Sequence, residues 1–112
     1  MAFPCDQFGG QEPGTNAEIA AFAAKHGFAG TLFAKGDVNG PGASAPWRYL
    51  RASAVGGGKD VRWNFAKFLV GRDGVPVKKY GEAFDAKRIA RDVRALLEER
   101  AREGEEETAE DL

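Results

Sequence analysis

Apolar residues along the chain fall into short groups set between polar, glycine-rich stretches. Ile19, Phe22 and Ala23 recur at i, i+3 and i+4, the spacing of one helix face. Thr15 followed by Glu18 forms a capping box, so this helix starts after Thr15, and Gly27 behind His26 stops it. Trp47, Leu50 and Ala54 mark a second helix, capped by Ser44 with Pro46 in its first turn. A third and longest periodic run carries Ile89, Val93, Leu96 and Leu97 and predicts a helix from about Asp85 to Arg102. Strands are predicted at Thr31–Ala34, Phe65–Val70 and Val75–Tyr80. The last two join through Asp73-Gly74, a strong hairpin signal. A strand stub at Ala2-Phe3 precedes a loop rich in Gly and Pro that reaches Gly14.

The predicted order is loop, helix, strand, helix, strand, strand, helix, which defines an α/β or α+β unit. A hairpin followed by a terminal helix is also how a thioredoxin-like domain ends. At 112 residues there is room for one small domain. No apolar run approaches the ~20 residues of a bilayer span, and MAFPCDQ has neither the basic nor the apolar region of a signal peptide. The single cysteine, Cys5, excludes an internal disulfide and suits a reducing compartment. A cytoplasmic location is therefore favoured, with an organelle left open because the N-terminal segment is expected to be missing. Charge divides the chain in two. Sixteen bases against eleven acids leave residues 1–102 at +5, while residues 103–112 hold six acids and no base. Residues 1–102 are thus expected to form the domain and 103–112 an acidic, disordered tail. The scattered bases form no stripe of the kind that binds nucleic acid.

Two segments go further than fold class: FPCDQFGGQEPGTNAEI, from Phe3 to Ile19, and RWNFAKFLVGRDGVPVKKY, from Arg62 to Tyr80. With LFAKGDVNGPGASAPWRYL between them, they resemble successive signature blocks of the glutathione peroxidase family, over about Ala2 to Arg94. The resemblance implies an α/β, thioredoxin-like fold and a peroxidatic selenocysteine or cysteine held by a glutamine, a tryptophan and an asparagine. Those three fall on Gln11, Trp63 and Asn64. It implies reduction of H2O2 or lipid hydroperoxides, with glutathione as co-substrate and neither a metal nor a bound cofactor.

The chemistry asks for these residue types. A chalcogen attacks peroxide as its anion, and the protonated form is a poor nucleophile. Indole and amide N–H groups are neutral donors, so they stabilise that anion without setting a rival base beside it. Neighbours in a regular strand point to opposite faces, so Trp63 and Asn64 reach one atom together only if they precede the strand proper. Lys59 and Arg62 flank the pair and are candidates for the carboxylates of glutathione or a lipid phosphate, a membrane-surface contact included. As single residues Gln11, Trp63 and Asn64 would read as loop and packing positions, and only their joint match assigns a site. Cys5 lies at a position separate from the family's nucleophile and reads as a small buried hydrophobe. His26 reads as a helix-end residue favoured by the dipole.

Two departures qualify the resemblance, and a loop length refines it. The family's peroxidatic residue lies N-terminal to the first block, so these 112 residues are expected to lack it, together with the N-terminal strands and first helix of an incomplete fold. The chain alone is then expected to be poorly stable and inactive, with unpaired strand edges. A selenocysteine UGA codon taken as a stop upstream of Met1 would explain this, as would an incomplete transcript; a UGA or a TGC/TGT codon there separates the two. Thioredoxin-dependent members carry a resolving cysteine where EIAAFA places Ala23, so glutathione or another external thiol is the expected reductant. The short Ser53–Val61 loop matches the monomeric, phospholipid-hydroperoxide-like members. The competing reading is a truncated, catalytically dead paralogue that binds or senses through its surface. A third keeps catalysis through Cys5 in a rearranged site.

Overall fold

The computed structural model describes residues 1–110, with side chains through Glu99. The elements in chain order are α1 (Asn16–Lys25), α2 (Ala45–Ala52), β1 (Lys67–Val70), β2 (Pro76–Tyr80) and α3 (Ala86–Glu110). Thr15 caps α1 by accepting from the Glu18 N–H at 3.2 Å. Its hydroxyl also donates to Glu18 Oε1 at 3.1 Å, so the reciprocal arm of the box runs between side chains. Ser44 occupies the N-cap of α2 without a side-chain cap bond. Helix α2 ends at Ala52, leaving Ala54 beyond it. There the Ser53 hydroxyl donates to the Leu50 carbonyl at 2.6 Å and accepts from the Gly56 N–H at 3.2 Å. Asp85 caps α3 by accepting from the Arg88 N–H at 3.1 Å.

The predicted hairpin forms: β1 and β2 pair antiparallel, Lys67 opposite Tyr80 and Leu69 opposite Lys78, with an irregularity at Leu69/Val70. Within the turn, Asp73 Oδ1 accepts from the Val75 N–H at 3.0 Å and the Gly71 N–H donates to the Val75 carbonyl at 2.9 Å. These bonds place Val75 in the turn, and β2 starts at Pro76. Thr31–Ala34 is not a strand of its own. Leu32 makes one parallel bridge with Ala2, through Ala2 N–H to the Thr31 carbonyl and Phe33 N–H to the Ala2 carbonyl. Pro4 has no N–H with which to extend that ladder.

The core gathers around Phe8, Val38, Trp47 and Val61, with Phe3, Cys5, Leu50, Ala66 and Phe68 packed against it. Trp47 sits at its centre, edge-on to Phe3 at 5.6 Å and to Phe68 at 5.9 Å between ring centroids. No described side chain is less than 2% exposed, so this core is thin. Helix α3 continues to Glu110, eight residues past its predicted end at Arg102. The Glu and Ala residues there are strong helix formers, and the single Gly104 does not stop them. Helical backbone therefore covers residues 103–110 of the segment expected to be disordered, and Asp111 and Leu112 lie outside the described residues.

Candidate functional site

Gln11 and Asn64, fifty-three residues apart, are joined by a hydrogen bond in which Asn64 Nδ2 donates to Gln11 Oε1 at 2.8 Å. That bond holds the Gln11 amide by its oxygen and does not use the donors of its NH2. Trp63 joins them over Gly9. A Cβ on Gly9 would meet Trp63 Cη2 at 3.3 Å and both Cγ and Nε2 of Gln11 at 3.6 Å. The indole and the Gln11 amide thus border the same space, which the bare glycine keeps open. Gly9 also has φ of 68°, a conformation that side-chain-bearing residues rarely adopt.

Local structure explains the convergence. The loop carrying Gln11 is closed by the Glu12 N–H, which donates to Asp6 Oδ1 at 2.8 Å. Beyond the loop, Lys35 Nζ donates to the carbonyls of Glu12 at 3.2 Å and Gly14 at 2.7 Å. Phe8, buried within the same loop, packs its ring against Trp63 at 5.8 Å. Such aromatic pairs contribute about 0.5–1.5 kcal/mol beyond the area they bury. Trp63, Asn64 and Phe65 form a turn, and β1 begins only at Lys67, so both site residues precede the alternating strand. Phe65 takes φ of 64°, the one non-glycine residue with positive φ among those described. It is 77% exposed, so packing does not repay that conformation.

Trp63 is 42% exposed, which leaves part of its indole to solvent or ligand. Lys59 and Arg62 are exposed on the irregular approach to the turn and share no ion pair or hydrogen bond with the trio. The nearby ion pair belongs to others, Arg51 with Asp60 at 2.9 Å. Cys5 is half-buried beside the core, its thiol 3.4 Å from Gln7 Oε1. It touches the trio through no hydrogen bond among the described residues. Exposed His26 lies tilted against Phe22 at the end of α1, with ring centroids 4.4 Å apart. No group of three or more His, Cys, Asp or Glu able to hold a metal occurs among the described residues. No described helix is long and apolar enough to cross a membrane.

Sequence reasoning did not single out Gln7 or Asn39. Gln7 Oε1 accepts from the Val38 and Asn39 N–H groups at 2.9 and 3.0 Å. Asn39 in turn bonds the backbone of Val61 through both ends of its amide. Asn39-Gly40 reads locally as a turn, and only its distant partner reveals more. The available signals were the membership of Gln7 in the FPCDQ block and of Asn39 in the LFAKGDVNGPGASAPWRYL block.

The fold is thioredoxin-like α/β and is shared with the crystal structure of Trgpx in its apo form. The TM-score is 0.64 at 26% identity, covering 86% of this chain and 55% of that one. Residues 1–51 match the family model described as Glutathione peroxidase. The chain is 54% identical over 83 residues to Glutathione peroxidase 1, mitochondrial, of Chlamydomonas reinhardtii, covering 71% of this chain and 41% of that protein. It is 43% identical over 105 residues to the Hydroperoxy fatty acid reductase gpx1 of Synechocystis, covering 87% and 62%. It is 42% identical over 100 residues to the Phospholipid hydroperoxide glutathione peroxidase of Bos taurus, covering 87% and 51%. The chain is thus a homologue of the glutathione peroxidases at moderate identity. It spans about half the length of these curated relatives.

Proposed function

We propose that the protein acts in thiol-dependent reduction of hydroperoxides, with Gln11, Trp63 and Asn64 as the donors around the reacting chalcogen. The observation that carries this reading is the meeting of Gln11 and Asn64 at 2.8 Å beside Trp63, across fifty-three residues of chain. In the reaction a thiolate or selenolate attacks one peroxide oxygen and the O–O bond breaks. The departing alkoxide takes a proton to become the alcohol, and the chalcogen is left as its hydroxyl form. One thiol displaces that hydroxyl as water, and a second releases the disulfide, so ROOH and two thiols give ROH, water and a disulfide. Each N–H donor aimed at the anion contributes about 1.5–3 kcal/mol.

The nucleophile itself, by resemblance, lies N-terminal to Met1, and on this reading the 112 residues alone do not turn over peroxide. Strands and a helix that precede Met1 in the family would complete the sheet beside Ala2 and Leu32. Ala23 at the resolving-cysteine position supports glutathione or another external thiol as reductant. The open site and short Ser53–Val61 loop support bulky lipid hydroperoxides and a monomer, with Lys59 and Arg62 meeting carboxylate or phosphate groups. Two homologues are called mitochondrial, which supports an organelle beside the cytoplasm as the compartment. Residues 103–112 remain an acidic appendage to the peroxidase-related unit. The alternative, a binding or sensing module without turnover, rests on the position of Cys5, which is bonded to Gln7 rather than to the trio.

A peroxidase assay tests the reading on two proteins, these 112 residues and the same chain preceded by the translation of the codons upstream of Met1. Activity only in the longer protein supports it. Equal activity in both would overturn it, and a Cys5→Ser variant would then show whether that thiol is responsible.

A further inference from the structure

Asn39 makes contacts that a neighbouring strand would normally make. Its Nδ2 donates to the Val61 carbonyl at 2.8 Å and its Oδ1 accepts from the Val61 N–H at 2.8 Å. One side chain therefore holds both polar groups of one backbone residue, and that residue lies two positions before Trp63. The main chain of Asn39 is held in turn from the other half of the site. Gln7 Oε1 accepts from the N–H groups of Val38 and Asn39, and Gln7 Nε2 donates to the Asn39 carbonyl at 2.9 Å. Gln7 lies four positions before Gln11, on the loop that Asp6 and Glu12 close.

Five hydrogen bonds thus run from the Gln11 loop through Val38 and Asn39 to the approach of Trp63 and Asn64, four of them made by Asn39. The two bonds to Val61 are part-buried, and Val61 itself is 5% exposed, so water does not readily replace a lost partner there, whereas two of the Gln7 bonds are exposed. Of the side chains, only Asn and Gln present a donor and an acceptor on one planar amide, and Asn has the shorter reach. Aspartate in that place would set a second oxygen against the Val61 carbonyl.

We infer that Asn39 is a positioning residue that sets the separation between Gln11 and the Trp63–Asn64 pair. Its importance for turnover rests on the proposed function, but its effect on geometry does not. The Asn64–Gln11 bond at 2.8 Å has little slack, since a shift of about 1 Å takes it outside hydrogen-bonding range.

The test is NMR of the full 112-residue chain, labelled with 15N and 13C, against its Asn39→Ala and Asn39→Asp variants. The readouts are the Gln11 and Asn64 side-chain amides, the Trp63 indole, and the cross-relaxation between Asn64 amide protons and the Gln11 side chain. In Asn39→Ala the cross-relaxation is lost and the three signals shift, while hairpin amides from Lys67 to Tyr80 stay in place. Asn39→Asp, which keeps the acceptor for Val61 N–H, gives the same pattern more weakly. An intact Asn64–Gln11 signal in either folded variant overturns the inference. So does loss of the hairpin signals in both, because Asn39 would then be a general stability residue. No readout involves peroxide. Turnover that ignores Trp63→Phe in a nucleophile-bearing protein would sink the peroxidase reading and leave this one standing.

Discussion

At the scale of single residues, the site depends on how bare and strained the backbone is around three donors. A side chain on Gly9 would press on Trp63 Cη2 at 3.3 Å and touch the Gln11 side chain at 3.6 Å. Gly9→Ala is expected to destabilise the chain by about 1–2 kcal/mol from its left-handed backbone alone. It should also shift Trp63 fluorescence by pressing on the ring, where a purely backbone effect would leave the emission unchanged. Phe65 shows the reverse. Its φ of 64° is unfavourable for any residue with a Cβ, and its ring is mostly in solvent. Phe65→Gly should therefore raise stability by about 1 kcal/mol in denaturant titration, and a loss would mean that the ring packs against something. The placement of Trp63 and Asn64 before the strand was legible in sequence, since alternation forbids both from facing one atom within a strand. The Asn39 clamp was not, because its two bonds join residues 22 apart that carry no joint pattern.

At the scale of elements, one side-chain hydrogen bond among the described residues ties helix α3 to the hairpin. Tyr80 Oη donates to Asp92 Oδ2 at 2.6 Å, with the Arg88 guanidinium 5.5 Å from the centre of the Tyr80 ring. That hydrogen bond holds the Asp92 carboxyl below its ordinary range, helped by Lys78, Arg91 and Arg88 against the cost of burial. Burial pushes the Tyr80 phenol up, and the bond to Asp92 adds to it. The signs differ in consequence. A depressed carboxyl adds stability above its unfolded value near 4 that is lost as pH falls through the folded value. A raised phenol adds stability below its unfolded value near 10 that is lost as pH rises further. Thermal melts of the chain should therefore fall off on both sides of that window. Tyr80→Phe should flatten both limbs, and an unchanged acid limb would show that Asp92 has another partner. Existence and order of the helices and the hairpin followed from periodicity, caps and Asp73-Gly74. The Thr31–Ala34 strand did not, because four apolar residues lengthen into a strand only if a partner supplies the ladder, and Pro4 cuts that ladder short.

At the scale of the whole molecule, seven hydrophobic side chains among the described residues are buried and none of these is fully enclosed. Phe22, Tyr49, Phe65, Val75 and Phe84 are each at least half exposed. A cavity of about 410 Å3 opens between the hairpin and α3, lined by Leu69, Val77, Val93, Leu96 and Leu97 among others. A core this thin is expected to melt broadly and below the ~45–65 °C of ordinary domains, and calorimetry of the 112-residue chain checks it. A sharp transition inside that range would contradict it. The central claim is narrower than stability: on the proposed function Gln11, Trp63 and Asn64, side chains that meet from two distant segments, serve one reacting chalcogen. The most direct measurement is steady-state peroxide turnover by the chain preceded by the translation of the codons upstream of Met1, beside its Gln11→Ala, Trp63→Phe and Asn64→Ala variants. The account predicts that each substitution lowers kcat by about 10²–10³, as for loss of one preorganised donor. Three variants turning over at the parent rate would contradict it.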